Sequence, residues 1–182
     1  MALTATIRKA DLQISDMDRG YYAAHALTLA QHPSETDQRL MVRLLAFALE
    51  ADERLEFGKG LSSDDEPDLW RRDYTGAIEQ WIEVGQPDEA RIRKACGRAR
   101  HVLVVNYGGR AADLWWDRNR PALSRLKPLK VIDLPAETVT ALGELAARSM
   151  RLDVMVQDGE VQVLGDDSAL AFVPVVRYDG GA

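Results

Sequence analysis

Carboxylates in the middle of the chain have residue types and spacing that suit a metal site. An acidic run, Asp-Asp-Glu-Pro-Asp, ends at Asp68, and Glu83 follows fifteen residues later. The strand-forming segments Asp68–Arg72 and Ala77–Val84 flank a Tyr-Thr-Gly turn, which predicts a β-hairpin. Antiparallel pairing brings Asp65 or Asp68 beside Glu83. Two hard oxygen ligands that meet at a sheet edge suit Mg²⁺ or Mn²⁺.

Glu83 carries a charge near the end of an apolar strand, so its carboxylate needs a partner. A charge in such a position is costly unless it is paired or coordinated. A metal ion is one such partner. The alternative is an arginine such as Arg91, in which case Glu83 has a structural role, and the residues alone leave both interpretations open.

A predicted helix over residues 87–100 supplies positive charge directly after Glu83. One face of this helix is formed by Pro87, Arg91, Lys94 and Arg98, and the buried stripe by Ile92, Ala95 and Ala99. Helical side chains lean toward the helix N-terminus, so Arg91 and Lys94 reach toward the end of the strand that carries Glu83. The residues expected to contact phosphates are Arg91, Arg98 and Arg100.

Charge is unevenly distributed along the chain, whose net charge is −6. Residues 50–90 contain 13 Asp/Glu and four Arg/Lys, whereas residues 91–130 contain 11 Arg/Lys and two Asp. One interpretation is two solvated faces that neutralise each other. The other is an acidic metal site beside a basic phosphate-binding surface. The negative total argues against a protein that coats nucleic acid.

Several classes of protein are disfavoured by missing features. The single cysteine, Cys96, excludes an internal disulfide and a cysteine-rich zinc site. Dinucleotide, P-loop and hydrolase-elbow motifs are absent. No apolar window of 18 residues is present, and Met1–Asp11 lacks the apolar region of a signal peptide. We therefore expect a cytoplasmic protein without a membrane partner.

The 182 residues predict one α/β domain over residues 1–182, with mixed α+β character. Strand and helix patterns alternate from Ala77 to Leu134, which is typical of βαβ units. The run His101–Tyr107 is apolar enough for a strand buried on both faces of a parallel sheet. We expect a central mixed β-sheet with flanking helices.

The two ends of the chain predict further strands. The segments Ala2–Ile14 and Tyr21–Ala30 are expected to pair, and Ser34 is expected to cap a helix that reaches about Glu53. Near the C-terminus, a hairpin is predicted around Asp158-Gly159. The last predicted strand, Ala169–Arg177, contains Pro174, which places it at a sheet edge.

The predicted long helix also carries Glu35, Arg39 and Arg43 at i, i+4 spacing. By itself this ladder predicts a surface salt-bridge stripe of small energetic weight.

At these segments the chain resembles the YaeQ family, over essentially its whole length. The matching stretches are residues 32–36 (His-Pro-Ser-Glu-Thr) with Arg39 and Arg43, 51–55, 64–67, 81–85, 87–89, 91–96 and Trp115-Trp116. The resemblance implies a variant of the PD-(D/E)XK nuclease fold, also called the restriction-endonuclease-like fold.

In that superfamily, an acid on the first long helix, an Asp, an acid on the next strand and a lysine surround Mg²⁺. The matching acids are Glu35, Asp65 (or Asp68, in the literal Pro67-Asp68 pair) and Glu83. Gly85 stands where the lysine is expected. The superfamily tolerates migration of this lysine to the following helix, and Lys94 is the candidate.

Two functions of different kinds follow from the residues and the resemblance. One is a Mg²⁺- or Mn²⁺-dependent phosphodiesterase or nuclease with nucleic acid as its partner. The other is a non-catalytic binding or regulatory module that keeps the nuclease-like fold with a degenerate site. Such a module would act through protein or nucleic-acid contacts, and the sequence does not identify a protein partner.

Overall fold

The computed structural model describes residues 4–59 and 65–182. Its strands are β1 (Thr6–Asp16), β2 (Tyr21–Gln31), β3 (Leu55–Phe57), β4 (Leu69–Arg72), β5 (Ile78–Val84), β6 (Ala99–Asn106), β7 (Leu129–Asp133), β8 (Ser149–Gln157), β9 (Glu160–Leu164), β10 (Ala169–Phe172) and β11 (Val175–Asp179). Its helices are α1 (Asp37–Leu49), α2 (Glu89–Arg98), α3 (Arg110–Leu123) and α4 (Ala136–Glu144).

The chain divides into two compact units. Unit 1 combines Met1–Ala51 with Glu137–Pro174, and unit 2 combines Asp52–Ala136 with Val175–Ala182. Each unit contains one mixed sheet, which confirms the mixed α/β class. The expected single central sheet is replaced by two sheets. Whether residues 1–182 form a single domain stays a prediction.

Unit 1 is built on a five-stranded sheet in the order β10-β9-β8-β1-β2. β1 and β8 run parallel, and the other neighbouring pairs are antiparallel. Alternate residues of β1, such as Leu12 and Ile14, are buried because side chains of a strand point alternately to its two faces. The predicted β1–β2 pair and the hairpin around Asp158-Gly159 are confirmed.

The first helix begins two residues later than the sequence predicts. Thr36 is the N-cap, and its hydroxyl accepts from the Arg39 amide at 3.1 Å. The expected cap, Ser34, instead bonds His32 Nδ1 through its amide and its hydroxyl. The helix ends at Leu49 rather than near Glu53.

Unit 2 is built on a six-stranded sheet in the order β11-β7-β6-β5-β4-β3. β5, β6 and β7 run parallel, with α2 and α3 as the connecting helices. β6 lies inside this sheet and its residues 102–106 are buried, as its apolar sequence predicts. Trp81, Ile92, Trp115 and Trp116 pack in the core beneath the helices.

The predicted C-terminal strand Ala169–Arg177 is divided between the two sheets. β10 pairs with β9 in unit 1, whereas β11 pairs with β7 in unit 2. The break falls at Val173-Pro174, where proline cannot donate a ladder hydrogen bond. Both pieces are edge strands, as expected. None of the helices in the described part of the chain is long and apolar enough to cross a membrane.

Candidate functional site

The hairpin of β4 and β5 brings an aspartate beside Glu83. Leu69 of β4 pairs with Ile82 of β5, so Asp68, just before β4, lies beside the end of β5. Asp68 Oδ2 accepts a hydrogen bond from the Val84 amide at 2.8 Å. The predicted hairpin is confirmed, and of the two candidate aspartates it is Asp68 that contacts β5 next to Glu83.

Glu83 is buried, and two neighbouring side chains donate hydrogen bonds to its carboxylate. Only 4% of the residue is exposed, and its Oε1 accepts from Arg91 Nε at 2.7 Å and from Trp81 Nε1 at 2.8 Å. The ion pair with Arg91 is therefore present. The indole contact was not predicted, although the i, i+2 spacing of Trp81 and Glu83 places both side chains on one face of β5.

Burial and a neighbouring carboxylate both affect the ionisation of Glu83. Burial raises the pKa of Glu83 above its usual value, and the neighbouring Asp68 raises this pKa further. The hydrogen bond from Trp81 and the charge of Arg91 act in the opposite direction without reversing the shift. Burial and the like charge of Asp68 thus favour the protonated form of Glu83.

Two arginines of α2 donate hydrogen bonds to the backbone of residues 65 and 66, in the acidic segment that precedes β4. Arg91 Nη2 donates to the Glu66 carbonyl at 2.8 Å, and Arg98 Nη1 donates to the Asp65 carbonyl at 3.3 Å. The Arg98 guanidinium also lies over the Trp81 ring, 5.2 Å from its centroid. The basic face of α2 therefore lies against residues 65 and 66 of the acidic segment, as the helical spacing of its residues predicted.

Lys94 and Asp65 lie on the solvent side of this face. Lys94 Nζ is 3.7 Å from Asp65 Oδ1, and these side chains are 59% and 84% exposed. Arg100, expected at the end of the helix, lies in β6 and is exposed. Asp64, part of the predicted acidic run, falls outside the described residues, as do Ala2 and Leu3 of the predicted first strand.

The backbone at Gly85 disfavours a lysine two residues after Glu83. The backbone of Gly85 has φ +95°, a conformation that glycine adopts readily and other residues adopt with strain. A lysine here would be strained in the turn that follows β5. A cation for this site must therefore come from another element, and α2 provides Arg91 and Lys94.

Glu35 lies in unit 1, one residue before the N-cap Thr36, so it precedes α1 and is not on the helix as expected; arginines bind its carboxylate. Its Oε2 accepts from Arg39 Nη1 at 2.6 Å and its Oε1 from Arg43 Nη2 at 2.6 Å. The side chains of Glu35 and Arg43 are 1% and 6% exposed, so the predicted surface stripe is wrong. The signal that indicates burial is the apolar run around Arg43, in which every residue from Leu40 to Ala48 is buried.

The donor chemistry of Asp68 and Glu83 can be compared with the needs of a metal ion. Mg²⁺ is commonly held by one or two carboxylates, with waters and substrate phosphates at its other positions. The two carboxylates fit that chemistry once Arg91 releases Glu83 Oε1. Within residues 4–59 and 65–182, no group of three or more His, Cys, Asp or Glu side chains is arranged to hold a metal.

A family model described as YaeQ protein matches residues 1–174 of the chain. The chain belongs to the YaeQ family. Among YaeQ proteins, the one from Escherichia coli (strain K12), "Uncharacterized protein YaeQ", is 44% identical over 170 residues, 93% of this chain and 94% of that protein. The Salmonella typhi protein of the same name is 46% identical over 161 residues, 88% of this chain and 89% of that protein.

Solved YaeQ structures are similar over nearly the whole chain. The crystal structure of the YaeQ protein from Xanthomonas axonopodis pv. citri has a TM-score of 0.94 and 62% identity, covering 97% of this chain and 99% of that one. The YaeQ protein from Pseudomonas syringae gives 0.91 and 35%, covering 96% of each chain. These descriptions state no reaction, so the chemistry of the site rests on its geometry.

Proposed function

We propose that this YaeQ family protein is a Mg²⁺- or Mn²⁺-dependent phosphodiesterase that acts on nucleic acid through a site of the PD-(D/E)XK type. The observation that carries the proposal is the position of Asp68 beside the buried Glu83 at the end of β5. Burial and Asp68 raise the pKa of Glu83, so added positive charge would stabilise its ionised form.

The proposed roles follow from the position of each side chain. Asp68 and Glu83 hold the divalent ion, which when bound lowers the pKa of a water and polarises a phosphate. Arg91 gives up its hydrogen bond to Glu83 Oε1 and donates to a phosphate oxygen instead, because its guanidinium already lies beside the Glu83 carboxylate. Lys94 donates from Nζ to the substrate, and Asp65 positions Lys94. Arg98 and Arg100 contact flanking phosphates.

Glu35 enters this scheme only through the resemblance. Its carboxylate is held by Arg39 and Arg43 in unit 1, and this contact supplies no argument for a metal role. A catalytic role of Glu35 stays a prediction.

The test is the thermal shift produced by Mn²⁺, combined with cleavage of single- and double-stranded DNA and RNA. A ligand selective for the native state stabilises it by about 2.7 kcal/mol at 100 times its Kd. Mn²⁺ should raise the Tm of the wild type and of the control Asp65→Asn. It should leave the Tm of Asp68→Asn and Glu83→Gln unchanged, and both should lose cleavage. A wild type that neither responds to Mn²⁺ nor cleaves any substrate contradicts the proposal.

A second candidate is the non-catalytic binding module. It is favoured by the contacts of Glu83 Oε1, which Arg91 and Trp81 already satisfy, and by Gly85 in place of the lysine. Such a module would bind its partner equally well with EDTA or with Mn²⁺. The phosphodiesterase should instead bind its substrate more tightly when the ion is present.

A further inference from the structure

In the described part of the chain, the two sheets have four edge strands, and three of these carry features that disfavour pairing with another chain. β3 has three residues and contains Glu56, and β10 has four residues. β11 has an irregular register after Val176 and contains Arg177 and Asp179. Short strands, charges and bulges are the usual protections of a sheet edge.

The fourth edge strand, β2, lacks these protections. It has eleven residues, Tyr-Tyr-Ala-Ala-His-Ala-Leu-Thr-Leu-Ala-Gln, with no Asp, Glu, Lys, Arg or Pro. It pairs with β1 from Tyr21 to Gln31 without a register shift. Within the described residues, β1 is its only neighbour in the sheet. Long, regular and uncharged edges are the ones that accept a further strand.

The backbone groups that point away from β1 can be identified from one contact. The Ala30 carbonyl accepts from Arg43 Nη2 at 3.0 Å, so it faces the free edge. In an antiparallel pair, residues alternate between bonding the neighbour and facing away from it. Among residues 4–59 and 65–182, the backbone groups of β2 that face this edge without a partner therefore belong to Tyr22, Ala24, Ala26 and Thr28.

The side chains of these four residues also leave room for a neighbouring strand. All four are exposed, and three are small. Tyr22 is 62% exposed, which leaves a large aromatic ring for a partner to cover.

We propose that β2 pairs antiparallel with β2 of a second copy of this chain, so that the unit 1 sheets of a homodimer form one continuous sheet. Because β2 contains no Asp, Glu, Lys or Arg, two copies of it can lie side by side without repulsion between like charges. A twofold axis then makes one surface self-complementary. The pairing uses no residue of the proposed metal site.

The register follows from the free groups. With the axis at His25, Tyr22 faces Thr28 of the partner subunit and Ala24 faces Ala26 of the partner subunit, and each pair exchanges two hydrogen bonds. An axis at Ala26 would instead place Tyr22 opposite Ala30, whose carbonyl is already bonded by Arg43. The axis at His25 uses every free group.

The first test is sedimentation equilibrium of the full chain over a dilution series. The wild type should have twice the 20.3 kDa chain mass at high concentration and fall to 20.3 kDa on dilution. In the proposed register, the two Ala26 residues are diagonal neighbours, close enough for long side chains to interact. Ala26→Lys and Ala26→Glu should each therefore be monomeric alone. An equimolar mixture of the two should recover the dimer, because opposite charges then meet.

The control is Ala171→Lys, the same change at an exposed position of β10, the other edge of this sheet. It should leave the wild-type mass unchanged. Ala26→Pro is a second disrupting variant, since it removes only an amide that faces away from β1. Circular dichroism verifies that each variant is folded. A wild type that stays at 20.3 kDa at all concentrations, or a dimer that survives both Ala26→Lys and Ala26→Pro, overturns the proposal.

Discussion

Arg91 Nε lies 2.7 Å from Glu83 Oε1 and partly neutralises a carboxylate that also has Asp68 beside it. Burial and Asp68 together outweigh the effect of Arg91 on the pKa of Glu83. This raised pKa distinguishes Glu83 from a carboxylate whose pKa an arginine partner lowers. It also fixes the direction of the measurements below.

Replacement of Glu83 by glutamine is expected to leave the free energy of unfolding at pH 7 unchanged within about 1 kcal/mol, or to raise it. The amide keeps an oxygen for Trp81, and the change removes the like-charge interaction of Glu83 with Asp68. In contrast, Arg91→Met removes the cation and should cost about 1–3 kcal/mol. Urea denaturation measures both. A loss of about 3–5 kcal/mol in Glu83→Gln would show a closed structural pair with Arg91 instead.

The pH dependence of stability should carry the sign of the raised pKa of Glu83. Because burial and Asp68 raise this pKa in the native state, the native protein keeps the proton after the unfolded chain has lost it. The stabilisation is complete below the unfolded pKa of about 4.3 and is lost as the pH rises through the native pKa. The difference in unfolding free energy between wild type and Glu83→Gln should therefore fall from pH 4 to pH 8. A difference that rises with pH would mean that Arg91 dominates.

The arginines after Glu83 are expected to determine nucleic-acid affinity. Alanine at Arg91, Arg98 and Arg100 should weaken binding to all sequences and reduce the slope of log K against log salt by about 0.9 for each lost contact to duplex phosphate. Fluorescence anisotropy at several salt concentrations measures the slope. An unchanged slope would leave these arginines with internal roles only, such as the contacts of Arg91 and Arg98 to the Glu66 and Asp65 carbonyls.

Glu35→Gln is expected to destabilise the protein by about 3–5 kcal/mol, because it leaves the buried Arg43 without its carboxylate. The exposed Glu53 offers a matched control, and Glu53→Gln should change stability by no more than about 0.5 kcal/mol. Thermal and urea denaturation report both values. Equal, small effects of the two substitutions would mean that the buried contacts of Glu35 with its arginines contribute little to stability.

The sequence by itself determined the local parts of unit 2. The apolar run of β6 and the helices on either side of it specify parallel strands, because such runs need cover on both faces. The hairpin of β4 and β5 is predicted from two short strand-forming segments around a turn. This hairpin places an aspartate beside Glu83. The basic face of α2 follows from helical periodicity alone.

Other features were decided only by the tertiary structure, because they depend on contacts between residues far apart in the chain. The register of β4 against β5 determines that Asp68 rather than Asp65 lies beside Glu83. The burial of Glu35 depends on Arg43, eight residues later, and on a carbonyl of β2. The division of the C-terminal strand at Pro174 depends on which sheet offers each half a partner, and no local pattern encodes that choice.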